Sequence, residues 1–373
     1  MQKKKYIVAL VLLSIFIAGC TGPSAWPSLS AGGGVAYLAN TNAVHAVDIA
    51  TGKELWKFSV SGGFLGSNPS MFVSTPVLTE TGLLIVPDSG NKHILYALDT
   101  NDITDDKTPN VAWTFSNVKG HWVAPPLVVG SRLFAPNSDG KMYVLDLEDG
   151  KSEKSAIEIV ALSAEGKTDR LWAQPVSDGT RIFITSLDHR IFAVNLETYK
   201  IEWESQLEAA VPGAPVLGAD GMLYVGSLAG KLERFDPVTG SHESVKDTND
   251  WVWGTPVAEG DNLYFGDVAG YFYSYNTATG DWNFDPIQLD GAITASPLVL
   301  EDKILVATES GDVYSVLEDG SGYEVWYHPD AEGKLYATPV LSGENVLVAY
   351  LQSDYYFVTL DLDGDVKRAF PQK

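Results

Sequence analysis

The chain has 373 residues, one cysteine and a formal net charge of −23, from 25 basic and 48 acidic side chains. So acidic a body is repelled by nucleic acid and by anionic lipid headgroups, which excludes both as partners held by charge. With a single thiol no internal disulfide can form, so stability has to come from packing.

Residues 1–19 read as an export signal. Lys3, Lys4 and Lys5 precede an apolar run from Tyr6 to Ala18, shorter than the roughly 20 residues a spanning helix needs. Ile17, Ala18, Gly19 and Cys20 have the layout of a bacterial lipobox. This predicts cleavage before Cys20 and attachment of the chain to the lipid bilayer through acylated Cys20. Each buried CH₂ contributes about 0.8 kcal/mol, so two or more acyl chains hold stably. Removing the three lysines leaves 22 basic against 48 acidic residues, a net charge of −26. Residues 20–25 form a short tether, and the folded body is expected over 26–373.

In that body a proline recurs before an apolar strand, at Pro27, Pro76, Pro126, Pro175, Pro215, Pro256, Pro297 and Pro339. The spacings are 49, 50, 49, 40, 41, 41 and 42 residues. That period, without helical periodicity, predicts an all-β fold: an eight-bladed β-propeller of four-stranded antiparallel blades. The fifth repeat shows the plan, with GMLYVGS, GKLERFD, a turn at PVTG and a last strand following its proline. Apolar and polar residues are read as alternating along half-buried strands. Asp, Thr and Gly recur in the turns because carboxylate and hydroxyl accept backbone N–H groups while Gly tolerates positive φ.

The segment AVDIATGKELW places Ala46, Asp48, Thr51, Gly52 and Trp56 in the pattern A-x-D-x-x-T-G-x-x-x-W, and degenerate copies carry Trp113, Trp203 and Trp326. This resembles the quinoprotein-type repeat, also called the PQQ-like repeat, along the whole mature chain. The resemblance implies that the four tryptophans wedge between neighbouring blades as core. It also requires a test against the quinone dehydrogenases that share the repeat. Those enzymes carry a vicinal Cys-Cys disulfide, a calcium ion and a catalytic aspartate. This chain has no second cysteine and no matching calcium set, so no cofactor is expected and the chain is read as a non-enzyme.

No other chemistry is written in the sequence. The six histidines are scattered, with no HExxH, no CxxC and no GxSxG, so no metal site is expected. The run Asp361–Asp365 and the acidic stretch Asp99–Asp106 are read as solvated hairpin loops without EF-hand spacing. Aromatics ahead of the repeat prolines carry more interest. Trp122, Trp172, Trp253 and Tyr336, with Arg170 beside them, are candidates for the mouth of a central channel, where they would bind a peptide, glycan or protein loop. The competing reading is that they fill the wall between blades. Long loops around 100–110 and 148–169 are candidate partner surfaces.

A lipobox, one propeller and no active site together resemble the subunit-B family of the outer-membrane β-barrel assembly machinery. The resemblance implies a non-catalytic scaffold with a protein partner at the membrane, in that machinery. Thr21, where an Asp would retain the chain at the inner membrane, implies the outer membrane in a two-membrane cell. In a one-membrane cell the location would be the outer face of the cytoplasmic membrane. A cell-surface or periplasmic ligand-binding or sensing propeller is the second class, and a quinone dehydrogenase the third.

Overall fold

The computed structural model describes residues 28–60, 70–152, 156–159, 171–329, 333–351 and 353–371. The export signal, Cys20, Pro27 and Arg170 lie outside them. Among the described residues there is no helix, and eight antiparallel sheets follow one another along the chain. Seven have four strands, and the sixth has a fifth, Ile287–Gln288, which continues its outer edge. The blades span 28–59, 77–115, 127–158, 176–206, 216–247, 257–288, 298–327 and 340–370. Each of the seven described repeat prolines stands directly before an innermost strand, as Pro76 does before Val77–Leu78 and Pro339 before Val340–Ser342. Proline suits that place because its missing N–H would be a lost ladder bond anywhere inside a sheet.

The core is a set of eight seams, one between each pair of neighbouring blades. Leu133, Ala135, Tyr143 and Leu145 of blade 3 face blade 2, while Phe134, Met142 and Val144 face blade 4. Both faces of a middle strand are therefore covered, and Arg132–Pro136 and Lys141–Asp146 are buried along their central residues. This corrects the half-buried reading. Middle strands are near-continuous apolar runs, and alternation survives only at the outer edge, as in Glu54–Ser59.

The repeat motif has a local explanation in this geometry. Trp56, Trp113 and Trp203 lie opposite Ala46, Ala97 and Ala193 on the neighbouring strand, each beside a β-bulge. A small residue opposite a large one lets the indole lean out of the sheet, and the bulge adds the twist that aims it. Trp113 then donates from Nε1 to the Leu147 carbonyl of the next blade at 3.0 Å. Trp203 reaches the Pro237 carbonyl at 3.0 Å, and Trp326 the Leu362 carbonyl at 3.3 Å. A Cβ on Gly150 would lie 2.5 Å from the Trp113 ring, and one on Gly240 2.5 Å from the Trp203 ring. Glycine in these turns thus meets two demands, positive φ and an indole lying on it.

The turns behave as their residues dictate. Asp48 Oδ1 accepts the Thr51 N–H at 2.7 Å and the Thr51 hydroxyl at 2.6 Å, which holds its carboxyl below the ordinary aspartate range. Asp361 does the same for the N–H groups of Asp363 and Asp365 and pairs with Lys367. The Asp99–Asp106 stretch is more ordered than a loop. It extends the hairpin of Leu95–Ile103 and Pro109–Phe115, and the Lys57 N–H of blade 1 donates to the Lys107 carbonyl at 3.1 Å.

The ring closes without strand exchange. Blade 1 is made wholly from 28–59 and blade 8 wholly from 340–370. Their seam packs Leu29, Leu38 and Val47 against Leu347, Phe357 and Phe370. Arg368, opposite Thr359 beside a bulge, holds the tryptophan's place in blade 8, and its Nε donates to the Ala50 carbonyl at 3.2 Å.

Candidate functional site: the central channel

The connectors that precede the repeat prolines form the channel wall, and their side chains alternate. The fourth residue before proline points between blades, as Phe72, Trp122, Val211, Val252, Ile293 and Leu335 do, each 1% exposed or less. The third and first point inward. Trp172, Trp253 and Tyr336 are third-position residues on blades 4, 6 and 8, and all three line one channel of about 590 Å³. Thr75, Gln174, Thr255, Ser296 and Thr338, each directly before a proline, line it as well. None of the described lining residues is charged, although the chain as a whole carries a net −23.

Three of the aromatics named from sequence therefore meet in the channel. Trp172 is 39% exposed, Trp253 is half-buried, and the half-buried Tyr336 donates to Glu309 Oε2 at 3.3 Å. Trp122 does not join them. It is 1% exposed, lies edge-on to Phe115 and Tyr143 and donates its indole N–H to the His93 carbonyl at 3.0 Å. Residue parity decides the matter: Trp122 is four residues before its proline, the others three. The hydroxyls directly before the prolines were missed, and the same count would have found them.

Buried carboxylates hold the connectors in place. Asp267, with no exposure, accepts the N–H groups of Ala269 and Tyr271 on one oxygen, and the Asp250 N–H and Tyr273 hydroxyl on the other. Burial first, and then the Asp267 carboxylate, push the Tyr273 phenol far above its ordinary range, so it stays a donor. The Trp251 carbonyl accepts from Val268 and the Val252 N–H donates to Ser227, fixing the stretch that carries Trp253. Asp139 plays the same part in blade 3 with the Tyr143 hydroxyl at 2.7 Å. Neighbouring connectors approach closely: a Cβ on Gly213 would lie 2.9 Å from the Gly254 carbonyl oxygen. Threonines then stitch neighbours, with the Ala214 N–H donating to Thr255 and the Ser296 N–H to Thr338.

Chemically, the channel offers aromatic faces and hydroxyl or amide groups on a rigid wall. No group of three or more metal-ligating side chains occurs among the described residues. No described lining residue supplies a carboxylate or imidazole for proton transfer.

Comparison with known proteins places this architecture. A family model described as outer membrane protein assembly factor BamB matches residues 20–242 and 242–367. A curated relative, outer membrane protein assembly factor BamB of Yersinia pestis, is 25% identical over 326 residues, covering 73% of this chain and 79% of that protein. The crystal structure of BamB from Moraxella catarrhalis superposes with a TM-score of 0.66 at 17% identity, covering 89% of this chain and 95% of that one. A computationally designed protein, Ika8, superposes equally well, with a TM-score of 0.67 at 12% identity over 93% and 96% of the two chains. A designed ring shares the fold as closely as a natural one, so the likeness of shape carries no function by itself. The family match runs from the first blade to the last, and the chain belongs to the family of outer membrane protein assembly factor BamB.

Proposed function

We propose that this chain is a non-catalytic scaffold in outer-membrane β-barrel assembly, held at the membrane by lipid on Cys20. The observation that carries the reading is the family match through every blade. The packing supports it: the ring has eight packed seams, and its connectors are pinned by buried carboxylates. Such a body acts by presentation: fixed loops and outer strand edges meet a membrane partner or an extended client chain. The tether of residues 21–25 reaches about 17 Å when extended, which keeps the disc near the bilayer.

In-cell crosslinking, purification of the lipidated protein and mass spectrometry test the reading. Recovery of a barrel-insertion membrane protein is expected. Recovery of only transport or cell-wall proteins, with normal barrel-protein levels after deletion, would sink it. Anchoring is tested separately, since Cys20→Ser should move the protein from the membrane to the soluble fraction.

A second reading, an anchored ligand-binding propeller, is favoured by one observation: Trp172, Trp253 and Tyr336 meet in an uncharged channel. Aromatic faces beside hydroxyls suit a neutral glycan or an uncharged peptide loop. Under this reading Trp253→Ala abolishes a binding event at unchanged melting temperature, whereas under the scaffold reading it leaves partner recovery intact.

A further inference from the structure

Where blades 2 and 3 meet, two histidine rings lie against each other, tilted. The His93 and His121 ring centroids are 4.5 Å apart, with the planes at 48°. Each Nδ1 is buried and has no hydrogen-bond partner. This is unusual because a buried ring nitrogen normally finds a donor or an acceptor. It is not a by-product of loose placement, since both backbones are fixed. The His93 carbonyl accepts the Trp122 indole N–H, the His121 N–H donates to the Ser138 hydroxyl at 2.7 Å, and the His121 carbonyl accepts the Ser138 N–H.

The backbone at this place follows the rule of the other blades. His93 has φ of +53°, in the left-handed region. The matching hairpin positions of blades 3, 5 and 6 are Gly140, Gly230 and Gly270, all at positive φ. Blade 4 also has a histidine there, His189 at φ of +69°; of the two, His93 is the one whose ring meets a second histidine, from the next blade.

We infer that His93 and His121 form a two-histidine site for a divalent d-block cation, bound through the two buried ring nitrogens. Imidazole nitrogen suits Cu²⁺, Ni²⁺ and Zn²⁺ and disfavours Ca²⁺ and Mg²⁺, and affinity peaks at Cu²⁺. Binding requires both nitrogens in the deprotonated, lone-pair form. The bound ion cross-links the hairpin of blade 2 to the connector of blade 3. The site is independent of the scaffold reading.

The test uses the full chain in detergent, without a polyhistidine tag, titrated with Cu²⁺. One molar equivalent is expected, with nitrogen couplings from two imidazoles in the electron paramagnetic resonance spectrum and a raised melting temperature. His121→Gln and His93→Gly should each abolish the equivalent. His93→Gly should also melt, without metal, at or above the wild-type temperature, because glycine tolerates this φ. If His121→Gln fails to fold, His93→Gly carries the test alone. Wild-type protein without saturable uptake, or uptake unchanged in His93→Gly, overturns the site.

Discussion

The seam between blades 2 and 3 and the seam that closes the ring between blades 8 and 1 do the same job with different means. In the first, Trp113 is 8% exposed, bonded to Leu147 and stacked on Gly150. In the second, an exposed Arg368 bonds to Ala50, and a buried histidine, His45, sits against Tyr356 and Phe370 with Nδ1 2.7 Å from Glu54. In both outer grooves a side chain reaches across to a carbonyl in the neighbour's turn. An indole fills the groove as it bonds, whereas a guanidinium bonds and leaves the groove wetter. Closure by Arg368 and His45 therefore makes one seam more polar and more sensitive to solution conditions than the other.

Four measurements break or sharpen this contrast. The largest effect is expected from Trp113→Ala, which removes a buried aromatic and should cost about 3–5 kcal/mol in urea unfolding. A loss under about 1 kcal/mol would mean that the rim docks do not hold the blades together. Gly150→Ala should cost about 1–3 kcal/mol, because its φ is +68° and the new Cβ meets the Trp113 ring. Acidification should weaken the closing seam selectively. Burial lowers the pKa of His45 below its ordinary 6.5, outweighing the opposing pull of Glu54. The sign follows: the unfolded chain takes up the proton first, so the stability His45 gives is complete above about pH 6.5 and is lost as the pH falls below it. A melting temperature that falls between pH 7 and pH 5.5 equally in wild type and His45→Gln would remove His45 as the cause. The smallest effect belongs to Arg368→Ala, about 1 kcal/mol or less for one exposed hydrogen bond. A cost equal to that of Trp113→Ala would show the two seams to be alike.

Much of the ring was legible because its information is periodic. Seven described prolines mark seven inner strands, and the D-x-x-T-G turn chemistry appears in Asp48 and Asp236 much as the residue types require. The partial failures have physical causes. Middle strands lack alternation because a blade is covered on both faces, which composition alone does not reveal. Trp122 and Trp253 look alike in sequence, and only the count to the next proline separates a wall residue from a channel residue. The closing dock was invisible since Arg368 carries no motif. The meeting of His93 and His121 depends on how one hairpin leans on the next connector, and no spacing encodes that.

Because each blade is built from an unbroken stretch of chain, the ring has a direction in time as well as in space. During synthesis every blade has all its strands as soon as its own segment has emerged, and each new blade finds its neighbour already formed. The joint where Phe370 meets Leu29 and Val47 pairs the last blade made with the first. A chain cut short before blade 8 would leave an arc with two exposed apolar faces, so the final thirty-odd residues decide whether the molecule ends as a ring or as an aggregating strip.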